Sequence, residues 1–345
     1  MTLHRYKKPL ILTIKILIVL AVAGWVAWEL YKSWGKIHLL DWRPDYAWLT
    51  FSAFLYVIAY IPAAWFWYYA MRSLGQHPGL YETFRAYYIG HLGKYVPGKA
   101  MVVVLRSGLV QSDRTRASVA AAAVFLETLT MMATGAFLAA LIIIIWFRDM
   151  PNGGWLHDIP YIGLFCDMPY GGGLMLLALG MMVVSGLPVL PPVFRATALR
   201  LGVGRNDPDI AAKLRGLNFR TLAVGWCLTG ISWIFLGLSL WATIRGMGIE
   251  TGPLSDVLPR FTLAASLSVV LGFVLMIPGG FLVREFGMAQ VLILYFADQL
   301  VANGMSQPEA IQLATLQALV VASVQRMISI FGELIASAIM IRKWK

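Results

Sequence analysis

Charge is scarce in this chain: 13% of its 345 residues are Asp, Glu, Lys or Arg, against 59% hydrophobic. A water-soluble domain carries about 25% charged residues, so a soluble fold is excluded and lipid is the expected solvent. Polar connections are short as well. The longest, residues 195–219, falls well below the size of a domain, so 1–345 reads as a single membrane domain. Cysteine is nearly absent: Cys166 lies in a loop and Cys227 in a hydrophobic helix, which leaves neither a disulfide framework nor a zinc site. The histidines (His4, His38, His77, His91, His157) share no metal-binding spacing. The glycines at 171–173 lack the Lys-Ser/Thr that completes a nucleotide-binding P-loop. No metal, nucleotide or other cofactor is expected. The net charge of +11 would suggest nucleic acid on a soluble basic face, but no such face exists here.

What is abundant is apolar sequence. A span needs about 20 apolar residues, and 9–30, 47–71, 117–147, 171–194, 220–244 and 309–341 meet that length. The first has signal-peptide features, Arg5, Lys7 and Lys8 before an apolar run. That run continues unbroken through Trp25 and Trp28, so a retained helix is expected. Two more stretches, 82–112 and 260–300, are interrupted by Pro97-Gly98 and by Pro278-Gly279-Gly280. The predicted class is an all-α polytopic membrane protein with about six spanning helices and two broken hairpins, re-entrant or paired.

The basic residues set the topology. If each interrupted stretch returns to its own side, the inner segments hold clusters such as Arg106, Arg114, Arg116 and Arg195, Arg200, Arg205, Lys213, Arg215, Arg220. The outer ones keep only Lys32, Lys36, Arg43, Arg148, Arg245 and Arg260. The positive-inside rule favours this arrangement, with both termini cytoplasmic. Each half, 1–147 and 171–345, then reads span, span, hairpin, span from opposite sides, which predicts an inverted-topology repeat. The aromatics near span ends, Trp42, Trp48, Trp65, Trp67 and Trp344 among them, read as an interfacial belt. Residues 207–217 carry a helix-start signature and read as a short interfacial helix.

The chemistry gathers at the breaks. Proline removes a backbone donor and glycine permits unusual dihedrals. A broken helix at membrane depth needs protein or a wet cavity around its freed backbone groups. Lys94, Lys99 and Arg106 flank the first break, and Arg284 and Glu285 follow the second. An intramembrane charge costs about 2.5–3.5 kcal/mol on insertion scales, so each needs a reason. One reading is a polar cavity between the hairpin tips that holds an anionic group such as a phosphate. The alternative makes the breaks structural kinks, with Lys94 and Lys99 snorkelling to the headgroups. Glu127, Arg326 and Glu333 form a further intramembrane charge network, in which Glu127, Glu285 or Glu333 could partner Arg326. Bridging between helices and contact with substrate are both open for these three. Glu127 or Glu285 could also couple movement to protons.

Together these motifs resemble the lysylphosphatidylglycerol synthase transmembrane region, also called the flippase-like domain family of bacterial membrane proteins. Its first motif, Pro-Gly, a turn and an arginine, corresponds to Pro97, Gly98, Lys99 and Arg106. Its second, close to PGGxGxRE, corresponds to Pro278, Gly279, Gly280, Arg284 and Glu285. Arg326 matches the final-helix arginine, and Glu127 a glutamate usually followed by a basic residue, here Thr128. The chain departs from the pattern at Leu282, where a glycine is common, and in its apolar 99–105 turn. The resemblance implies lipid handling in a bacterial inner membrane, without the cytosolic synthetic domain, since the sequence stops at Lys345 just past the last span.

The expected function is a transporter or flippase for an anionic phospholipid or lipid-linked amphiphile. Its headgroup would meet Lys94, Lys99, Arg106 and Arg284 around the Pro97-Gly98 and Pro278-Gly279-Gly280 breaks. The partners expected are membrane lipids, and a lipid-synthesising enzyme if the chain serves one. The alternatives are a membrane-embedded lipid-modifying enzyme using Glu127 or Glu285 as acid or base, and a non-transporting scaffold.

Overall fold

The computed structural model describes residues 43–96, 100–147, 180, 182–200, 212, 214–275 and 280–342. The expected first span, both Pro-Gly dipeptides, Lys99 and most of the 207–217 segment lie outside these residues. The described elements are helices: α1 (Tyr46–Ser73), α2 (Leu80–His91), α3 (Ala100–Val110), α4 (Ala117–Phe147), α5 (Pro191–Arg200), α6 (Phe219–Gly246), α7 (Leu254–Val274), α8 (Val283–Ala302) and α9 (Gln307–Arg342). Among the described residues no helix pairs with a strand; one isolated bridge joins Ser112 to Thr115.

Five of the helices are long and apolar enough to cross a membrane: α1, α4, α6, α7 and α9. The bent pair Met182–Val189 and Pro191–Arg200 makes a sixth if it counts as one span. The bend is 67°, and it falls where Pro188, Pro191 and Pro192 crowd together. A ring at each of these positions removes a helix hydrogen bond and clashes with the preceding turn. The expected straight span to residue 194 therefore turns at Leu190. α5 then runs through the start of the predicted polar connection and buries Phe194 and Ala198.

Local signals set the helix ends. Asp45 caps α1, its carboxylate accepting from the Ala47 and Trp48 amides at 2.8 and 3.3 Å. Asn218 caps α6 by accepting from the Thr221 amide at 2.9 Å. α9, at 36 residues, is about 54 Å long, well over the roughly 30 Å of a hydrocarbon core.

Helix pairing follows membrane rules, with small residues where backbones approach and hydroxyls between them. α1 runs antiparallel to α6. The Gly246 carbonyl accepts from the Asp45 amide at one end, and Gly225 gives the Phe66 ring room at the other. Between these points Ser52 donates to the Ser239 carbonyl at 2.7 Å, and Gln325 of α9 donates to the Ser239 hydroxyl at 3.1 Å. α4 meets α6 through Thr229, which donates to Thr134 at 2.9 Å, and through Trp233, whose indole donates to the Met131 carbonyl at 2.9 Å. Exposed faces are apolar: Phe54, Ile61 and Trp65 on α1, and Phe331, Leu334, Ile335 and Ile339 on α9. Polar groups inside and apolar groups outside is the arrangement lipid demands.

Within this frame α2–α3 and α7–α8 are two hairpins. The first flanks the Pro97-Gly98 break and the second the Pro278-Gly279 break. α9 touches both. Ser337 donates to the Tyr88 carbonyl of α2 at 3.0 Å, while Arg326 reaches Glu285 of α8.

Candidate functional site

Both hairpins make room for an arginine with glycine. In the first, a Cβ on Gly90 would sit 2.5 Å from Arg106 Cγ, and one on Gly93 2.7 Å from the Val102 amide nitrogen. In the second, Cβ atoms on Gly272 and Gly280 would sit 2.7 and 2.5 Å from Arg284 Cγ. No side chain fits in those gaps. Each arginine stem therefore lies in a slot floored by backbone.

Arg106 is 2% exposed, and both its terminal nitrogens are engaged while its Nε has no described partner. Its Nη1 donates to Glu127 Oε2 at 2.8 Å and its Nη2 lies 3.2 Å from His91 Nδ1. Its guanidinium lies 3.7 Å from the centre of the Tyr87 ring and 5.9 Å from that of Trp67. Glu127 in turn accepts from the Tyr87 hydroxyl at 2.8 Å and from Thr128 at 3.3 Å. Trp67 is fully buried, donating to the Ala120 carbonyl at 3.4 Å, so it belongs to the core and not to the interfacial belt.

Lys94 does not snorkel. Its ammonium donates to Glu333 and lies 2.9 Å from His91 Nε2. Glu333 also accepts from the Tyr56 hydroxyl and, at 2.9 Å, from that of Tyr95. His91 is thus held between Lys94 and Arg106, two donor-only groups, a position in which only the uncharged ring has a lone pair to offer. Arg326 Nε lies 3.2 Å from Glu285 Oε1. Of the three partners open to Arg326 on sequence, Glu285 is the one it meets. Arg326 and Glu333, two turns apart on one face of α9, each take a partner from a different hairpin.

Arg284 stands apart. Among the described residues it makes no hydrogen bond or ion pair, and its neighbour Glu285 turns to Arg326. It lines a cavity of about 470 Å³ together with Tyr60, Tyr87, His91, Lys94, Arg106 and Glu127. The remaining wall is apolar: Val102 and Val103 of α3, Phe125, Leu129 and Met132 of α4, Phe273 of α7. Phe125 is 54% exposed, so this wall continues onto the lipid-facing surface. A second, much smaller cavity of about 40 Å³ joins Arg284 to Glu285, Arg326 and Tyr56.

Of the residues expected at the site, Lys94, Arg106, Gly280, Arg284 and Glu127 gather at this cavity. Glu285, Arg326 and Glu333 form the layer behind it. Pro97, Gly98, Lys99, Pro278 and Gly279 lie outside the described residues. Sequence reading passed over Tyr56, Tyr60 and Tyr87. Their signal was available, since a mid-span tyrosine needs a hydrogen-bond partner for its hydroxyl in lipid. Among the described residues no three His, Cys, Asp or Glu side chains gather to hold a metal.

The fold and the cavity define a polytopic membrane protein whose charged interior is assembled from two broken hairpins and a shared long helix. The family profile described as lysylphosphatidylglycerol synthase TM region matches residues 12–324, and the chain belongs to that family. No curated protein matches the sequence.

Proposed function

We propose that the protein is a flippase for an anionic amphiphile, carrying its headgroup through the cavity between the hairpins while the tails remain in lipid. The observation that carries this reading is Arg284, a cation without a partner among the described residues, facing a 470 Å³ cavity. An intramembrane charge costs enough to be retained only for a use. A guanidinium offers a fork of donors that matches phosphate oxygens. The apolar wall of Val102, Phe125, Leu129 and Phe273 suits acyl or prenyl chains entering from the bilayer. Membership of a family named for a lipid synthase's membrane region supports a lipid as cargo. Movement follows from rocking of one half against the other about the site, in a bacterial inner membrane with both termini cytoplasmic. Lys94 and Arg106 supply further positive potential around the headgroup.

Catalysis is the weaker use of these residues. Glu127, the described carboxylate on the cavity wall, is already committed to Arg106 and Tyr87 on both oxygens.

The test is headgroup accessibility in proteoliposomes, read with fluorescent phospholipids and a membrane-impermeant quencher. Wild type is expected to exchange lipid faster than empty vesicles, and Arg284→Ala to return the rate to background. Exchange that persists in a correctly folded Arg284→Ala protein would remove Arg284 from the mechanism.

A further inference from the structure

The partners of the buried charges specify more than an anion. The described interior holds four cations, Lys94, Arg106, Arg284 and Arg326, and three carboxylates, Glu127, Glu285 and Glu333. Three pairs form: Arg106 with Glu127, Lys94 with Glu333, and Arg326 with Glu285. Arg284 is left over, and it faces the large cavity.

The carboxylates matter as much as the cation. Glu127 lies on the wall of the large cavity, and both its oxygens are occupied, Oε1 by Tyr87 and Oε2 by Arg106. Glu333 is likewise filled, by Lys94 and Tyr56 on one oxygen and by Tyr95 on the other. Glu285 borders the small cavity and not the large one; its Oε1 lies 3.2 Å from Arg326 Nε, and its Oε2 has no hydrogen-bond partner among the described residues. The two tyrosine rings beside the charges are taken as well: that of Tyr87 already carries the Arg106 guanidinium at 3.7 Å, and Tyr60 packs on His91 at 4.5 Å. An ammonium brought into this cavity would meet Arg284, Lys94 and Arg106, while the one described carboxylate on its wall, Glu127, has neither oxygen free to receive it. Buried like charges repel strongly where solvent screening is weak.

Resting on the reading of this cavity as a headgroup site, we infer that its ligand is a monoanionic phosphodiester lipid whose headgroup carries no amine, with the two non-bridging oxygens on the Arg284 fork. Hydroxyl-bearing headgroups satisfy this, since the Thr128 hydroxyl, which donates to Glu127, lines the same space and can accept from them. Zwitterionic and aminoacylated phospholipids do not. A lipid diphosphate brings at least two negative charges to one uncompensated described cation.

The experiment is exchange by the full chain in proteoliposomes. Acyl-labelled phosphatidylglycerol, phosphatidylethanolamine, lysyl-phosphatidylglycerol and a labelled prenyl diphosphate are compared side by side. Phosphatidylglycerol is expected to exchange at least about tenfold faster than the other three, the ratio that the loss of one modest buried charge interaction produces. Arg284→Gln is expected to reduce its exchange to background, while Arg284→Lys retains part of it. Lysyl-phosphatidylglycerol, phosphatidylethanolamine or the diphosphate exchanging as fast as phosphatidylglycerol would overturn the inference and leave lipid transport standing. No labelled lipid moving faster than in empty vesicles would end the transport reading itself, and this inference with it. Soluble glycerophosphoglycerol, added at the bulk concentration of the lipid, is expected to leave the rate unchanged. Inhibition by it would make the free phosphodiester the ligand and overturn the lipid assignment. The wild-type ranking needs no variant, so a substitution that fails to fold cannot protect the idea.

Discussion

The two hairpins are built alike and finished differently. Each breaks at a Pro-Gly, each sets an arginine stem against glycine, and each arginine lies near a glutamate. In the first, Arg106 is closed off by Glu127, His91 and the Tyr87 ring. In the second, Glu285 is drawn away by Arg326, and Arg284 is left facing the cavity. The same local design thus yields a structural arginine on one side and an available one on the other. What separates them is the residue on the neighbouring long helix: Glu127 on α4 next to the first hairpin, Arg326 on α9 next to the second. A carboxylate there takes the arginine, whereas an arginine there takes the glutamate.

The largest effect should come from unbalancing the closed side. Glu127→Ala leaves Arg106 buried without its counter-charge, and breaking one partner of a buried pair costs about 3–5 kcal/mol. Thermal unfolding in detergent should show a large drop in Tm, or loss of folded protein on size-exclusion chromatography. Arg284→Ala should change Tm little, because no described ion pair is lost. If the two substitutions cost the same, the contrast between the hairpins is wrong.

A smaller effect tests the glycine slots. Gly90→Ala places a methyl 2.5 Å from Arg106 Cγ, and Gly272→Ala one 2.7 Å from Arg284 Cγ. Overpacking of this kind costs about 1–3 kcal/mol. The first arginine is pinned by partners and cannot yield, so Gly90→Ala should lower Tm. The second can swing into the cavity, so Gly272→Ala should spare Tm and slow lipid exchange. Equal Tm losses would mean that Arg284 is as fixed as Arg106.

Between these sits the link across the halves. A double-mutant cycle of Lys94→Met and Glu333→Gln should give a coupling of about 0.5–3 kcal/mol in unfolding free energy, the range for residues in direct contact. A coupling near zero would show that the first hairpin is not tied to α9 through this pair.

How much of this was readable beforehand follows from the kind of signal. Spans 47–71, 117–147, 220–244 and 309–341 correspond to α1, α4, α6 and α9 within a few residues, because long apolar runs have one outcome in lipid. The hairpin arms were placed by Pro-Gly, though α7 begins at Leu254, before Arg260, and runs through Pro259, which lies inside the helix and lacks the donor of one helical hydrogen bond without ending it. At the site, residue types carried the reading, since any charge in a span must be buried or used. Who pairs with whom was not legible. Glu333 could be placed on the Arg326 face of α9 by periodicity, but its partner Lys94 comes from a hairpin 239 positions away in sequence. Trp67 was misplaced because nearness to a span end says nothing about which face of the helix a residue occupies.

The smallest effect concerns Leu282, at the position where the motif resemblance leads one to expect glycine. It precedes α8 at φ 63° and ψ −37°, and is the single non-glycine residue with positive φ among those described. Its dihedrals lie near the strained γ-turn region, where an L side chain meets its own backbone. Such a residue costs about 1–3 kcal/mol. Glycine would relieve that cost and forfeit about 0.5–1 kcal/mol through its freer unfolded chain. Leu282→Gly should therefore raise Tm by a few degrees at most. No described residue of the first hairpin is strained in this way, so the mirror substitution does not exist there. The exchange rate then sharpens the contrast. If the strain helps the Arg284 hairpin move, Leu282→Gly will stabilise the protein and slow exchange together. A higher Tm with unchanged exchange would make Leu282 an accident of sequence, and leave the missing partner of Arg284 as the whole difference between the two hairpins.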